Sequence, residues 1–129
     1  MKHTLIALAA TLAFAGMATA DPIEGTWQTQ PDEGRVGHIQ ITPCGSGFCG
    51  TKVRTFDTAG TVVQSPTDGA QIVRSMVPQG DGRYSGEVYR PSNQKVYSGK
   101  AEVSGNQMTL SGCVAGGLIC KSQTWVKVQ

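Results

Sequence analysis

The sequence predicts an all-β domain, a small antiparallel barrel of about eight strands. Three observations lead there. Gly is nearly twice its usual share, 17 of 129 residues, with six Pro beside it, and both break helix interiors. Short runs rich in β-branched and aromatic residues recur along the chain, each bounded by Gly, Pro, Asn or Asp, which is the spacing of short strands joined by tight turns. Charged residues are 16% and apolar residues 39%, which excludes the charge-rich, apolar-poor composition of a disordered chain. Closure into a barrel is favoured because it removes the exposed edges of a small sheet. The length also excludes a large multidomain enzyme.

The chain opens with a basic start at Lys2 and His3, an apolar run from Leu5 to Ala15, and then Ala18-Thr19-Ala20. This is the order of a secretory signal peptide, and cleavage is expected after Ala20. The run is shorter than the roughly 20 apolar residues a membrane span needs. No cysteine follows it, so a lipid anchor is not expected. Residues 21–129 then form one domain, periplasmic or secreted. Without Lys2 the basic and acidic residues nearly balance, and Arg35, Lys52, Arg74, Lys100 and Lys127 are scattered. A nucleic-acid binder shows a basic stripe, and none is present.

The strands follow in order. Glu24–Gln30 is built around Trp27. Val36–Thr42 alternates, with Ile39 and Ile41 on one face and His38 and Gln40 on the other. Phe48–Phe56 sets Val53 inward between outward Lys52 and Arg54. Thr61–Gln64 is a short, weak strand. Ala70–Val77 is ambiguous, because Ile72, Val73, Met76 and Val77 fit a helical turn as well as a strand. Gly80-Asp81-Gly82 then turns the chain into Arg83–Tyr89. Arg90–Gln94, with Pro91 and Asn93, turns it again. Lys95–Val103 carries Tyr97, Gly99, Ala101 and Val103 on one face. Gly105-Asn106 is a two-residue hairpin signal. Gln107–Cys113 points Met108 and Leu110 inward, and Lys121–Val128 closes the chain.

Four cysteines fall in two local pairs, Cys44 with Cys49 and Cys113 with Cys120. In an exported chain an even count reads first as disulfides, and four cysteines permit three connectivities. The local pairing is favoured, since each pair closes a short Gly-containing loop. A four-thiolate zinc site is the alternative, but the second spacing is long for a zinc knuckle.

Gly25-Thr26-Trp27, the PCGSGFCG stretch, GRYSGEVYRPSNQKVYSGKAEVSGNQMTLSGC and the closing KSQTWVKV together resemble the DUF2147 family of small exported bacterial proteins. The family pattern is met at Gly86, Tyr89, Pro91, Tyr97, Gly112, Cys113, Gln123, Thr124 and Trp125. The resemblance implies a lipocalin-like (calycin) β-barrel, and Gly25-x-Trp27 is similar to the lipocalin opening motif. Many members carry an Asn-Pro-Asp stretch that Asp57–Asp68 lacks.

Chemistry-bearing patterns are scarce. His38 is the one histidine past the leader, and on a polar strand face it reads as a surface residue. There is no Gly-x-Ser-x-Gly elbow and no His-Glu-x-x-His. Glu87 and Glu102 lie on adjacent strands as a conceivable carboxylate pair, with Arg83, Lys95 and Lys100 offering plain ion pairing instead. The aromatics carry the binding expectation. Trp27 and Trp125 meet where first and last strands join and plug one barrel end. Tyr84, Tyr89 and Tyr97 line a mouth, and Arg54 and Arg90 hold an anionic head group. The expected function is non-catalytic binding of a small apolar or amphipathic ligand, with no cofactor, metal or nucleic acid. The alternative is a cell-envelope interaction or structural module with a packed interior.

Overall fold

Each alternating run meets the next across a tight turn, so the apolar members of successive strands gather on one side. The structure is a computed structural model that describes residues 20–129; the expected leader, apart from Ala20, lies outside them. The strands are β1 (Gly25–Gln28), β2 (Val36–Cys44), β3 (Gly47–Phe56), β4 (Val62–Val63), β5 (Gln71–Gly80), β6 (Arg83–Arg90), β7 (Lys95–Ser104), β8 (Gln107–Val114) and β9 (Ile119–Lys127). They pair antiparallel in order, β3 passing to β5, and β9 returns to β1. Eight strands thus close on themselves, while β4 is a two-residue appendage on the end of β3.

The closing seam is short. Trp27 faces Lys127 and Gln28 faces Val126, and Thr26 extends the ladder by donating to the Gln129 carbonyl at 2.8 Å. Among the described residues no helix is long and apolar enough to cross a membrane.

The ambiguous run is strand β5, and a bulge explains why it looked helical. Register slips between Arg74 and Val77, and Ser75 takes φ 50°. The extra residue puts Val73 and Met76, three apart, in the same core, which breaks the period of two. Gly86 on β6 faces this bulge. A second bulge corrects the reading of β3. His38 pairs with Arg54 but Ile39 pairs with Lys52, so Val53 is squeezed out and exposed. Lys52 shares the inward register position of Ile39, and its side chain lies against Gly37.

The core comprises Trp27, Ile39, Ile41, Val73, Met76, Met108, Leu110 and Trp125, all buried. One end is plugged by the segment before β1. Ile23 is fully buried, the Trp27 indole Nε1 donates to its carbonyl at 2.9 Å, and the Lys127 ammonium donates to the Pro22 carbonyl at 3.0 Å. The Tyr84 hydroxyl donates to the Asp21 carboxylate.

Burial of Tyr84, and then this bond to Asp21, hold its phenol well above the ordinary tyrosine range. The unfolded chain therefore ionises first. The stability contributed by Tyr84 is present below about pH 10 and is lost as pH rises through the folded value. Alkaline urea titrations are expected to show this loss in the wild type. In Tyr84→Phe the fall above pH 10 should be shallower by about one proton's linkage. Equal slopes would remove the Tyr84–Asp21 bond from this account.

Both disulfides staple hairpins. Cys113 stands directly opposite Cys120 across β8 and β9. Cys44 joins Cys49 across the turn from β2 to β3. Loops this short each contribute about 2 kcal/mol in the chain-entropy model.

Candidate functional site

Antiparallel order divides the connections between the two ends. The turns at 45–46, 81–82 and 105–106 share the plugged end with residues 21–24, while 29–35, 57–70, 91–94 and 115–118 lie at the other. At this second end the two halves of the rim differ. Over β3 and β5 the loop before β5 folds across the opening. The Lys52 ammonium donates to the Thr67 hydroxyl at 2.8 Å, and the buried Thr55 hydroxyl donates to the Asp68 carboxylate at 2.7 Å. The Gly69 amide donates to the Lys52 carbonyl at 2.7 Å.

Over β6 to β9 the end stays open. Counting back in twos from Trp125, which is 2% exposed, Gln123 and Lys121 occupy the same inward face and are exposed. The Trp125 indole Nε1 donates to Gln123 Oε1 at 2.9 Å, forming a floor. On β7 the inward row climbs from buried Ala101 and Gly99 through half-buried Tyr97 to exposed Lys95. Tyr97 lies beside Gly112, and its hydroxyl accepts from Asn93 Nδ2 at 2.7 Å. On β6 the same row runs from Tyr84 through Gly86 and Val88 to exposed Arg90.

Arg90 and Lys95 stand directly opposite each other in the ladder. Like charges in that relation are destabilising, and an anion between them would reverse the sign. Lys121 adds a third cation to the same face.

The aromatic and basic residues named from sequence are therefore split up. Trp27 and Trp125 sit in the core on neighbouring strands. Tyr84 is at the plugged end, Tyr89 lies under the Arg74 guanidinium at 4.6 Å from its ring centre, and Tyr97 is at the open end. The shared mouth of three tyrosines is not formed, because the strand direction puts Tyr84 beside the turn at Gly82. Arg90 reaches the open rim, whereas Arg54 lies opposite His38 on the outer wall. The two arginines are kept apart because they lie on opposite faces of the sheet, with β5 between their strands. Glu87 stands opposite Ser98 and Glu102 opposite Arg83, four positions apart, or about 13 Å along the strand. No carboxylate pair forms. Lys95, Lys121 and Gln123 were missing from the sequence-based set, although the count in twos from Trp125 reaches two of them.

His38 is half-buried on the outer wall. Its ring is 4.4 Å from Phe56 and its Nε2 is 3.1 Å from Gln28 Oε1. Burial, and then Arg54, lower its pKa. It borders an outer groove of about 490 Å³ with Gln28, Val36, Phe56 and Asp57. A second groove of about 480 Å³ runs along Gln64–Asp68. Among the described residues no group of three or more His, Cys, Asp or Glu side chains could hold a metal ion.

An eight-stranded meander closed first to last, with one end plugged, is a lipocalin-like barrel. HP1028 from Helicobacter pylori, a protein of the lipocalin family, superposes with TM-score 0.65 at 16% identity, over 86% of this chain and 85% of that one. Fatty-acid-binding protein 1 of Echinococcus granulosus gives TM-score 0.47 at 16% identity, over 85% and 100%. The likeness to HP1028 is one of fold. No curated protein matches the chain. A family model described as an uncharacterized protein conserved in bacteria (DUF2147) matches residues 25–127, and the chain belongs to the DUF2147 family.

Proposed function

We propose that residues 21–129, exported and cleaved after Ala20, form a non-catalytic binder of a small amphipathic molecule with an anionic group. The ligand lies at the open end, its apolar part over Tyr97 and Val88 and its anion between Arg90, Lys95 and Lys121. The carrying observation is the opposed pair Arg90 and Lys95 on the inward face, above a floor of Trp125 and Gln123. Two hairpin disulfides support the export reading, since they persist in oxidising compartments.

The test is titration with 1-anilinonaphthalene-8-sulfonate, which joins an apolar ring system to a sulfonate. Saturable one-to-one binding is expected. A charge-assisted contact contributes about 1.5–3 kcal/mol, so Arg90→Glu with Lys121→Glu should weaken binding about tenfold or more. Both residues are exposed, so the melting temperature should hold. Absence of saturable binding, or equal binding by the variant, would defeat this reading.

A second reading, an envelope interaction or structural module, has its own observation. At the level of Gly99 the interior is filled: a Cβ there would stand 2.7 Å from Val88 Cγ2 and 2.8 Å from Met76 Cε. Side chains rather than a ligand occupy the space at this level.

A further inference from the structure

The connection from β8 to β9 carries apolar side chains that the barrel does not use. Leu118 is 87% exposed and Ile119 64% exposed, and Val114, directly opposite Ile119, is exposed as well. Burying such residues is the ordinary fate of Leu and Ile, and a contiguous exposed group marks a contact surface. The tip is also held in shape. Cys113 and Cys120 are bonded across its base. Ala115, Gly116 and Gly117 take φ 53°, 68° and 92° in succession, a tight left-handed turn that two glycines permit.

The charges around the tip are of one sign. The Lys100 ammonium lies 3.5 Å from where a Cβ on Gly117 would stand. Lys121 is two residues from Ile119, and Arg90 and Lys95 stand on the same rim. Of the acids on these strands, Glu87 lies two strands from Cys113 in the outer row, and Glu102 lies four residues further down β7 than Ser98.

We infer that this hairpin tip docks the protein on an anionic lipid bilayer, Leu118 and Ile119 entering the interface while the lysines meet lipid head groups. A protein interface of standard size covers roughly 800 Å² on each partner, more than a projecting tip of three apolar side chains offers. Apolar insertion joined to positive charge is the combination that holds peripheral proteins reversibly on membranes.

The experiment is co-sedimentation of the disulfide-intact mature chain with two kinds of vesicle, pure phosphatidylcholine and phosphatidylcholine mixed with phosphatidylglycerol. Binding to the mixed vesicles is expected to be at least about tenfold the stronger and to fall with added salt. Leu118→Ser with Ile119→Ser should abolish it, and Lys100→Glu should weaken it several-fold. The side chains of Leu118 and Ile119 are exposed, so that variant should melt with the wild type. Its anilinonaphthalenesulfonate titration should also be unchanged, so failure of docking and failure of the ligand reading are seen separately. No sedimentation, equal sedimentation with both vesicles, or a tip variant that still binds would overturn the inference. So would a wild-type dimer in size exclusion that the tip variant makes monomeric.

Discussion

Trp27→Ala is expected to destabilise the barrel by about 4 kcal/mol, the middle of the range for removing a buried aromatic. Trp27 has no exposed surface, so the substitution leaves a cavity in the core. It also removes the Nε1 bond to the Ile23 carbonyl, which ties the plug to β1. The Lys127 ammonium, 5.3 Å from the ring centre, loses its aromatic partner as well. Urea unfolding followed by the remaining Trp125 fluorescence measures the effect. Trp27→Phe keeps most of the ring and should cost less, about 1–2 kcal/mol, because a hydrogen bond and a small volume are lost. If both variants unfold at the wild-type midpoint, the plug is not held as described.

Gly86→Val should be of similar size. A Cβ at Gly86 would stand 2.5 Å from the Ser75 carbonyl oxygen and 2.7 Å from that of Arg74. These are backbone atoms of the β5 bulge, and they cannot rotate away as a side chain could. Overpacking typically costs about 1–3 kcal/mol, and valine adds two methyls to a position where one carbon already collides. Soluble yield and thermal melting give the readout. Gly112→Ala is the control in the same ladder. Its Cβ would meet Tyr97 at 3.4 Å, ordinary contact, so a change within about 1 kcal/mol is expected. A Gly86→Val protein as stable as the Gly112→Ala control would mean that the bulge yields.

The strands and their faces were legible where alternation ran undisturbed. Tyr97, Gly99, Ala101 and Val103 share the inward face, as do Met108 and Leu110, and the Gly105-Asn106 hairpin forms as its residues indicate. Legibility failed at the two bulges. An inserted residue reverses facing on one side of it, and nothing in Lys52-Val53-Arg54 announces the insertion before a partner strand is known. Tyr84 was misplaced for another reason. Periodicity tells which face a residue takes but not which end of the barrel it reaches, and that follows from strand direction and turn position. The opposed cations were hidden in the same way, since Arg90 and Lys95 become neighbours only once the register of β6 on β7 is fixed.

The seam between β1 and β9 has a kinetic consequence. It joins the first strand to the last, so its ladder is the most non-local in the chain, and contacts of that kind form slowly. A chain emerging in order from its N-terminus holds β1 with one side unpaired until residues 126–129 arrive. Lys127 and Gln129 also fasten the plug and the first strand. Every earlier hairpin can form, yet the barrel stays open along one side, and residues 126–129 decide when it becomes a closed molecule.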